Sequence, residues 1–125
     1  MRSDQFIYEA MKKFQNKSKK IIFNNSETLR DFIHINDVVK IIMYFLKVKS
    51  NKKFDIINVA TGKSFPVSFV INFLKENINP FKKIFYVQEN VQSQNHIVCI
   101  DKLKKYMPTI RFIGLKSGVL RLLYK

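Results

Sequence analysis

"RDFIHINDVV", residues 30–39, is the stretch on which the reading of this chain turns. An arginine and an aspartate open a run whose apolar residues alternate, as they do in an extended segment with side chains on opposite faces. After Asn36-Asp37 the spacing changes. Val38, Val39, Ile42, Phe45 and Leu46 follow at the three-and-four interval of a helix. Asn36 has N-cap chemistry and Asp37 suits the positive end of a helix dipole, so a helix is predicted over residues 38–47. A strand that turns directly into a helix is the unit from which α/β chains are built.

The same pattern continues on both sides. Upstream, Phe6, Ile7, Ala10, Met11 and Phe14 share one face of a helix predicted over residues 3–17, with Ser3 or Asp4 as its cap. "KKIIF" (residues 19–23) reads as a short strand closed by the polar turn "NNSE". Downstream, "FDIINVA" (residues 54–60) is rich in β-formers with apolar residues on both faces, which predicts a strand buried on both sides. Ser64, Pro66 and Ser68 offer helix-start chemistry before "FVINFLKENI", and Asn79-Pro80 ends that helix. "KIFYV" and "HIVCI" read as two further strands around the polar loop "QENVQSQN". Asp101 is placed to cap a short "KLKKYM" helix that ends at Pro108, and "LKSGVLRLLY" makes a last helix. The fold class is α/β, with short strands alternating with about four to five helices and no internal repeat.

At 125 residues, 46% of them hydrophobic and 14% aromatic, the chain can build a core and fills one domain or a piece of one. Its formal charge of +14 invites a nucleic-acid reading, because basic chains displace counterions from phosphates. Yet of the 23 basic residues only Arg2, Arg30, Arg111 and Arg121 are arginines, and the lysines are spread in pairs through every segment. Arginine is the residue suited to forked recognition of phosphates and bases. A solvated basic surface is therefore preferred, with a small basic nucleic-acid-binding protein as the alternative. Cys99 is the only cysteine, so no internal disulfide forms, and its apolar neighbours in "HIVCI" predict a buried, inert thiol. The longest apolar run, "IIMYFL", is too short to span a bilayer, and the N-terminus lacks the apolar core of a signal peptide. A cytoplasmic location is expected.

Catalytic chemistry is scarce. His34 and His96 stand alone, without metal-ligand spacing. The three glycines, Gly62, Gly114 and Gly118, form no phosphate-cradling loop of the dinucleotide or nucleotide-triphosphate kind. Tyr8 and Lys12 are four apart on a helix, a spacing that permits proton transfer, but Tyr8 flanks an apolar stripe and Lys12 is one lysine among many. Arg30 is different: an arginine at the mouth of a strand, where backbone position is fixed, can fork onto a diphosphate as lysine cannot. Its plainer reading is an ion pair with Asp31.

The order of pieces, "LRDFIHINDVVKII", then "INVATG", then a helix opening with serines, resembles the C-terminal part of the NAD-dependent sugar-nucleotide epimerase/dehydratase family, the extended short-chain dehydrogenases. "FIYEAMKKFQNKSKKIIF" before it and "IDKLKKYMPTIRFIGLKSGVLRLL" after it fit the same resemblance, which covers essentially the whole chain. It implies the substrate-binding portion of an extended Rossmann-type enzyme, residues 1–125 forming a single C-terminal region without the dinucleotide-binding half. It implies that Arg30 contacts the pyrophosphate of a nucleotide sugar, and that Asn58 and Gly62 shape the loop after a sheet strand. Where the family places a second phosphate-binding arginine this chain has "QSQNHI", so by the resemblance either Asn95 or His96 replaces it or the contact is lost. The family's Gly-rich loop and catalytic Tyr-x-x-x-Lys belong to the absent N-terminal half; Tyr8 and Lys12 do not stand in for that pair, being too close to the Arg30 motif and on a helix that matches another element, so no catalytic residue is assigned. NAD(P) is expected in the full enzyme and no cofactor in this chain alone. The expected partners are a nucleotide-sugar substrate and either a separate Rossmann-half chain or a second copy. Low stability without one of them follows if apolar faces are left bare.

Overall fold

The computed structural model describes residues 5–17, 20–24, 26–49, 53–87 and 94–124. Their order is α1 (Phe6–Gln15), β1 (Lys20–Asn24), β2 (Leu29–Asp31), α2 (Ile35–Lys47), β3 (Ser64–Pro66), α3 (Val67–Ile78), β4 (Lys83–Val87), α4 (Asp101–Tyr106) and α5 (Leu115–Leu123). Strands β1 and β4 form one two-stranded sheet and β2 and β3 another. The chain divides into two compact units, one of residues 1–30 and 65–96, the other of residues 31–64 and 97–125.

In the first unit the spacing of α1 puts Ala10 and Phe14 inside. Strand β1 alternates strictly, burying Ile21 and Phe23 and exposing Lys20, Ile22 and Asn24. It pairs in parallel with β4, from Lys20 opposite Lys83 to Asn24 opposite Val87. The rings of Phe6 and Phe14 lie 6.4 and 6.0 Å from that of Phe23, while Val67, Val70, Ile71 and Leu74 of α3 complete the core. Ser64 and Pro66 do not act as side-chain caps for α3; they belong to β3. The first N–H groups of the helix are taken instead by backbone carbonyls, Val67 donating to Thr28 (3.0 Å) and Ser68 to Ser26 (2.7 Å). Tyr86 donates to Asn72 Oδ1 (3.1 Å), and burial, helped by the Glu27 carboxylate, holds its phenol above the ordinary 10.0.

Lys82 is a buried lysine, 6% exposed. Its Nζ donates to the carbonyls of Lys13 (2.9 Å) and Asn16, at the C-terminal end of α1. Those carbonyls lack helical partners and carry the negative end of the dipole, so an ammonium there satisfies both needs.

In the second unit, α2 starts three residues earlier than the sequence predicts. Asn36 is not the cap. His34 is: its Nδ1 accepts from the Asn36 N–H (3.1 Å). Asp37, 4% exposed, accepts from the Ile113 N–H through Oδ2 (2.8 Å), so it ties α2 to the link before α5 as well as facing the dipole. Ile41, Ala60, Ile100 and Leu103 form the core, with Ile33, Phe45 and Ile57 packed against it. Asp101 opens α4 from inside its first turn, and Ile100 holds the N-cap position. Asp55 joins Lys102 Nζ and the Tyr106 hydroxyl (2.8 Å), which fixes α4 to the segment before Ala60.

Residues 54–60 form no strand, and neither do residues 96–100. Strand structure needs a hydrogen-bonded neighbour, and among the described residues neither segment has a ladder partner. Burial follows one face only: Ile57 and Ala60 turn inward, whereas Phe54 is 79% exposed and Ile56 and Val59 are also exposed. Cys99 is exposed rather than buried, because Val98 and Ile100 on either side of it face the core. The caps Ser3 and Asp4, the Asn25 turn position and most of the "QENVQSQN" loop lie outside the described residues. No helix among those described is long and apolar enough to cross a membrane.

Replacing Lys82 with Met keeps the apolar stem and strands two carbonyls. Urea unfolding of K82M is expected to show a loss of about 1–3 kcal/mol, and an unchanged midpoint would show that the ammonium contributes nothing.

Candidate functional site

Two clusters meet the sequence at consecutive residues, one in each unit. In the first unit, β2 is flanked by residues 94–96. The Leu29 N–H donates to Asn95 Oδ1 (3.0 Å) and the His96 N–H donates to the Leu29 carbonyl (2.9 Å). Arg30, half-buried, donates from Nη1 to the Leu29 carbonyl (3.2 Å) and to the Gln94 carbonyl. The fork is therefore anchored at one nitrogen. Its Nε–Nη2 edge makes no hydrogen bond among the described residues. That edge carries two parallel N–H donors, the geometry that matches two oxygens of a phosphate or carboxylate.

The structure thus brings Arg30, Asn95 and His96 together on one short stretch of backbone. Their parts differ. Asn95 uses its side-chain oxygen on Leu29, which leaves the amide nitrogen as the group it can offer. His96 holds β2 through its backbone N–H, and its side chain is exposed. Gln94 was not singled out from sequence; its role is played by a main-chain carbonyl, which leaves no signature in residue type.

In the second unit, Asp31 does not pair with Arg30. Its Oδ1 accepts from the Thr61 N–H (3.0 Å) and the Thr61 hydroxyl (2.7 Å), and its Oδ2 accepts from the Gly62 N–H (2.8 Å). Gly62 has φ +72°, a left-handed conformation, and a β-carbon there would come within 2.8 Å of Ile100 Cγ1. Glycine is required on both counts. Asn58, assigned with Gly62 to this loop, donates from Nδ2 to the Cys99 carbonyl (3.1 Å) and so ties the loop's entry to the segment before α4.

Tyr8 and Lys12 share a helix face, but the Lys12 ammonium sits over the Tyr8 ring, 4.5 Å from its centre. This is a cation–π contact on a surface helix. No group of three or more His, Cys, Asp or Glu among the described residues is placed to hold a metal ion.

Residues 2–60, from the α1 segment through Ala60, match the profile of the NAD dependent epimerase/dehydratase family. The chain resembles the C-terminal part of that family's enzymes. Solved structures agree on the fold. The UDP-glucose 4-epimerase of Thermotoga maritima, determined with UDP-glucose, is 18% identical with a TM-score of 0.73, over 97% of this chain and 40% of the other. The Bordetella bronchiseptica enzyme WbmG, in complex with NAD and UDP, is 15% identical at 0.78, over 97% and 38%. The Helicobacter pylori ADP-L-glycero-D-manno-heptose-6-epimerase is 22% identical at 0.74, over 94% and 36%. No curated protein matches. At these identities the structural likeness establishes the fold: mixed α/β with five helices and short strands among the described residues, as in the C-terminal part of Rossmann-type enzymes. The chain spans about two fifths of the length of the structures it matches.

Asp31→Ala removes three hydrogen bonds from the Thr61-Gly62 turn and leaves two N–H groups unpaired. Thermal and urea unfolding of D31A are expected to show a loss of about 2–4 kcal/mol. A loss below about 0.5 kcal/mol, the range of ordinary surface changes, would show that the turn is held by other contacts.

Proposed function

We propose that this chain is the nucleotide-sugar-binding part of an NAD(P)-dependent sugar-nucleotide epimerase or dehydratase acting in the cytoplasm. The observation that carries the proposal is the anchored Arg30 fork: one nitrogen is fixed to two main-chain carbonyls and a two-donor edge is presented for the substrate's diphosphate. Holding the guanidinium in place before the ligand arrives removes part of the ordering cost of binding. The Asn95 amide and the His96 side chain supply further polar contacts to the phosphates or the ribose. The family likeness of residues 2–60 supports the same substrate class.

The residues present do not fit a dinucleotide. None of Gly62, Gly114 and Gly118 stands in a close-spaced glycine loop, so no phosphate cradle is formed. NAD(P), which in such enzymes supplies reversible oxidation of a sugar hydroxyl, is therefore assigned to residues other than these, on a dinucleotide-binding half that works with this chain. Catalytic residues are assigned to that half as well. This chain's share is to bind and orient the nucleotide diphosphate.

Calorimetric titration with UDP-, GDP- and ADP-sugars tests the reading on the chain and on enzyme reconstituted with a dinucleotide-binding half. One nucleotide class is expected to bind. Arg30→Ala and Arg30→Lys should each weaken it by roughly tenfold or more, the lysine variant failing because a point charge cannot replace the fork. Equal binding by wild type and both variants would remove Arg30 from the site.

A further inference from the structure

Strand β2 is held along one edge by a ladder and along the other by a substitute for one. Main-chain groups of successive extended residues point to opposite edges. The Thr28 carbonyl takes the Val67 N–H (3.0 Å) on the β3 side, while Leu29 turns its N–H and its carbonyl to residues 94–96. Residues 94–96 form no strand. The bond that a neighbouring strand would complete with a main-chain carbonyl is completed instead by a side chain: Asn95 Oδ1 accepts from the Leu29 N–H at 3.0 Å. The His96 N–H returns a bond to the Leu29 carbonyl (2.9 Å).

These contacts bracket the Arg30 guanidinium. The two carbonyls that take Nη1 belong to Leu29 and Gln94, the residues immediately before Arg30 and Asn95. The Gln94 carbonyl shares one rigid peptide plane with the nitrogen and Cα of Asn95, so a bond that fixes Asn95 also fixes where that carbonyl points. We infer that Asn95 is a positioning residue: its side-chain oxygen sets Leu29 and Gln94 at the spacing that holds Nη1 between their carbonyls, and so aims the Nε–Nη2 edge. Without that oxygen, residue 94 is held to β2 only through the His96 bond, and the guanidinium keeps the Leu29 carbonyl alone as a fixed acceptor. Asn95 is exposed, so water replaces the lost acceptor at little cost in stability. What is lost is direction. An arginine that must be ordered as the ligand arrives binds it more weakly than one already in place. The larger part of Asn95's effect on binding therefore runs through Arg30, and any contact from its amide nitrogen is the smaller part. The consequence for binding rests on the nucleotide-sugar reading; the geometry rests on the hydrogen bonds alone.

Two readouts on the full chain test it, and the first needs no ligand. Nitrogen-15 NMR of the Arg30 guanidinium, assigned by its loss in Arg30→Lys, is expected to resolve Nη1 from Nη2, because a nitrogen bonded to two carbonyls resists the rotation that exchanges the pair. Asn95→Ala should average the two signals while the circular dichroism and the thermal midpoint stay close to those of the wild type. Asn95→Asp keeps an acceptor at the same reach without the amide donors, and should keep the signals apart. Averaged signals in the wild type, resolved signals in Asn95→Ala, or averaging in both variants overturns the proposal. So does averaging that comes with loss of the fold in Asn95→Ala, which makes the residue structural. The second readout is calorimetric titration with UDP-, GDP- and ADP-glucose of the wild type, Asn95→Ala, Arg30→Ala and the double variant. For the probe that binds, Asn95→Ala is expected to weaken affinity by roughly three- to tenfold, and by far less where Arg30 is already alanine, since both substitutions act through one group. Equal losses in the two backgrounds would make Asn95 an independent ligand contact and overturn the proposal, as would no loss in either. Binding of none of the three probes by the wild type removes the nucleotide-sugar reading, and the NMR readout then decides the positioning role by itself.

Discussion

The carboxylate of Asp31 is the contact around which the second unit is organised. Three donors from two consecutive residues converge on it, and they hold a turn that the backbone would not choose unaided, since Gly62 sits in the left-handed region. With that turn fixed, Ala60 enters the core beside Ile41, Ile100 and Leu103. Ile100 rests on the one residue type small enough to admit it. A carboxylate that accepts several hydrogen bonds in a partly dry setting is worth more than an exposed ion pair with a neighbouring arginine. That difference accounts for the way the Arg30-Asp31 pair is used. The two charges are not spent on each other; one closes a turn and the other keeps a donor edge.

Much of this was legible in the residues. The helical periodicities of α1, α2, α3 and α5 and the alternation of β1 carry their own information, because a helix satisfies its backbone internally and an apolar stripe needs only a core to face. Strands are different. "FDIINVA" has every local mark of a strand and forms none here, because a strand is completed by a neighbour and no local pattern supplies one. The same dependence misplaced Cys99: without the predicted ladder, burial follows the packing of Val98 and Ile100. The cap of α2 was missed because histidine is seldom the residue that serves there, while Asn36 beside it is a common one.

Of the candidate site, residue type pointed to Arg30 and the family resemblance to Asn95 and His96, and all three lie beside β2. The parts that position them are main-chain groups, Leu29 on both its N–H and its carbonyl and Gln94 through its carbonyl. Any residue other than proline brings both groups, so no scan of side chains could have named them. Likewise the burial of Lys82 could not be told from composition. In a chain crowded with lysines, the one that closes α1 looks like the rest until its two carbonyl partners are seen.

The division into units has a consequence for biosynthesis. Each unit is made of two separated stretches, and the chain passes from one to the other after Arg30, Ser64 and His96. In the parallel ladder Lys20 waits for Lys83, a pairing that must close a long loop before it gains anything. During synthesis, then, α1 and β1 emerge before the β4 that pairs with β1, and α2 emerges before the α4 that completes its core. Neither unit reaches its final contacts until most of the chain has left the ribosome. Each unit therefore closes its core late, by bringing together stretches far apart in the chain, and its apolar surface stays unsatisfied within the unit until they meet.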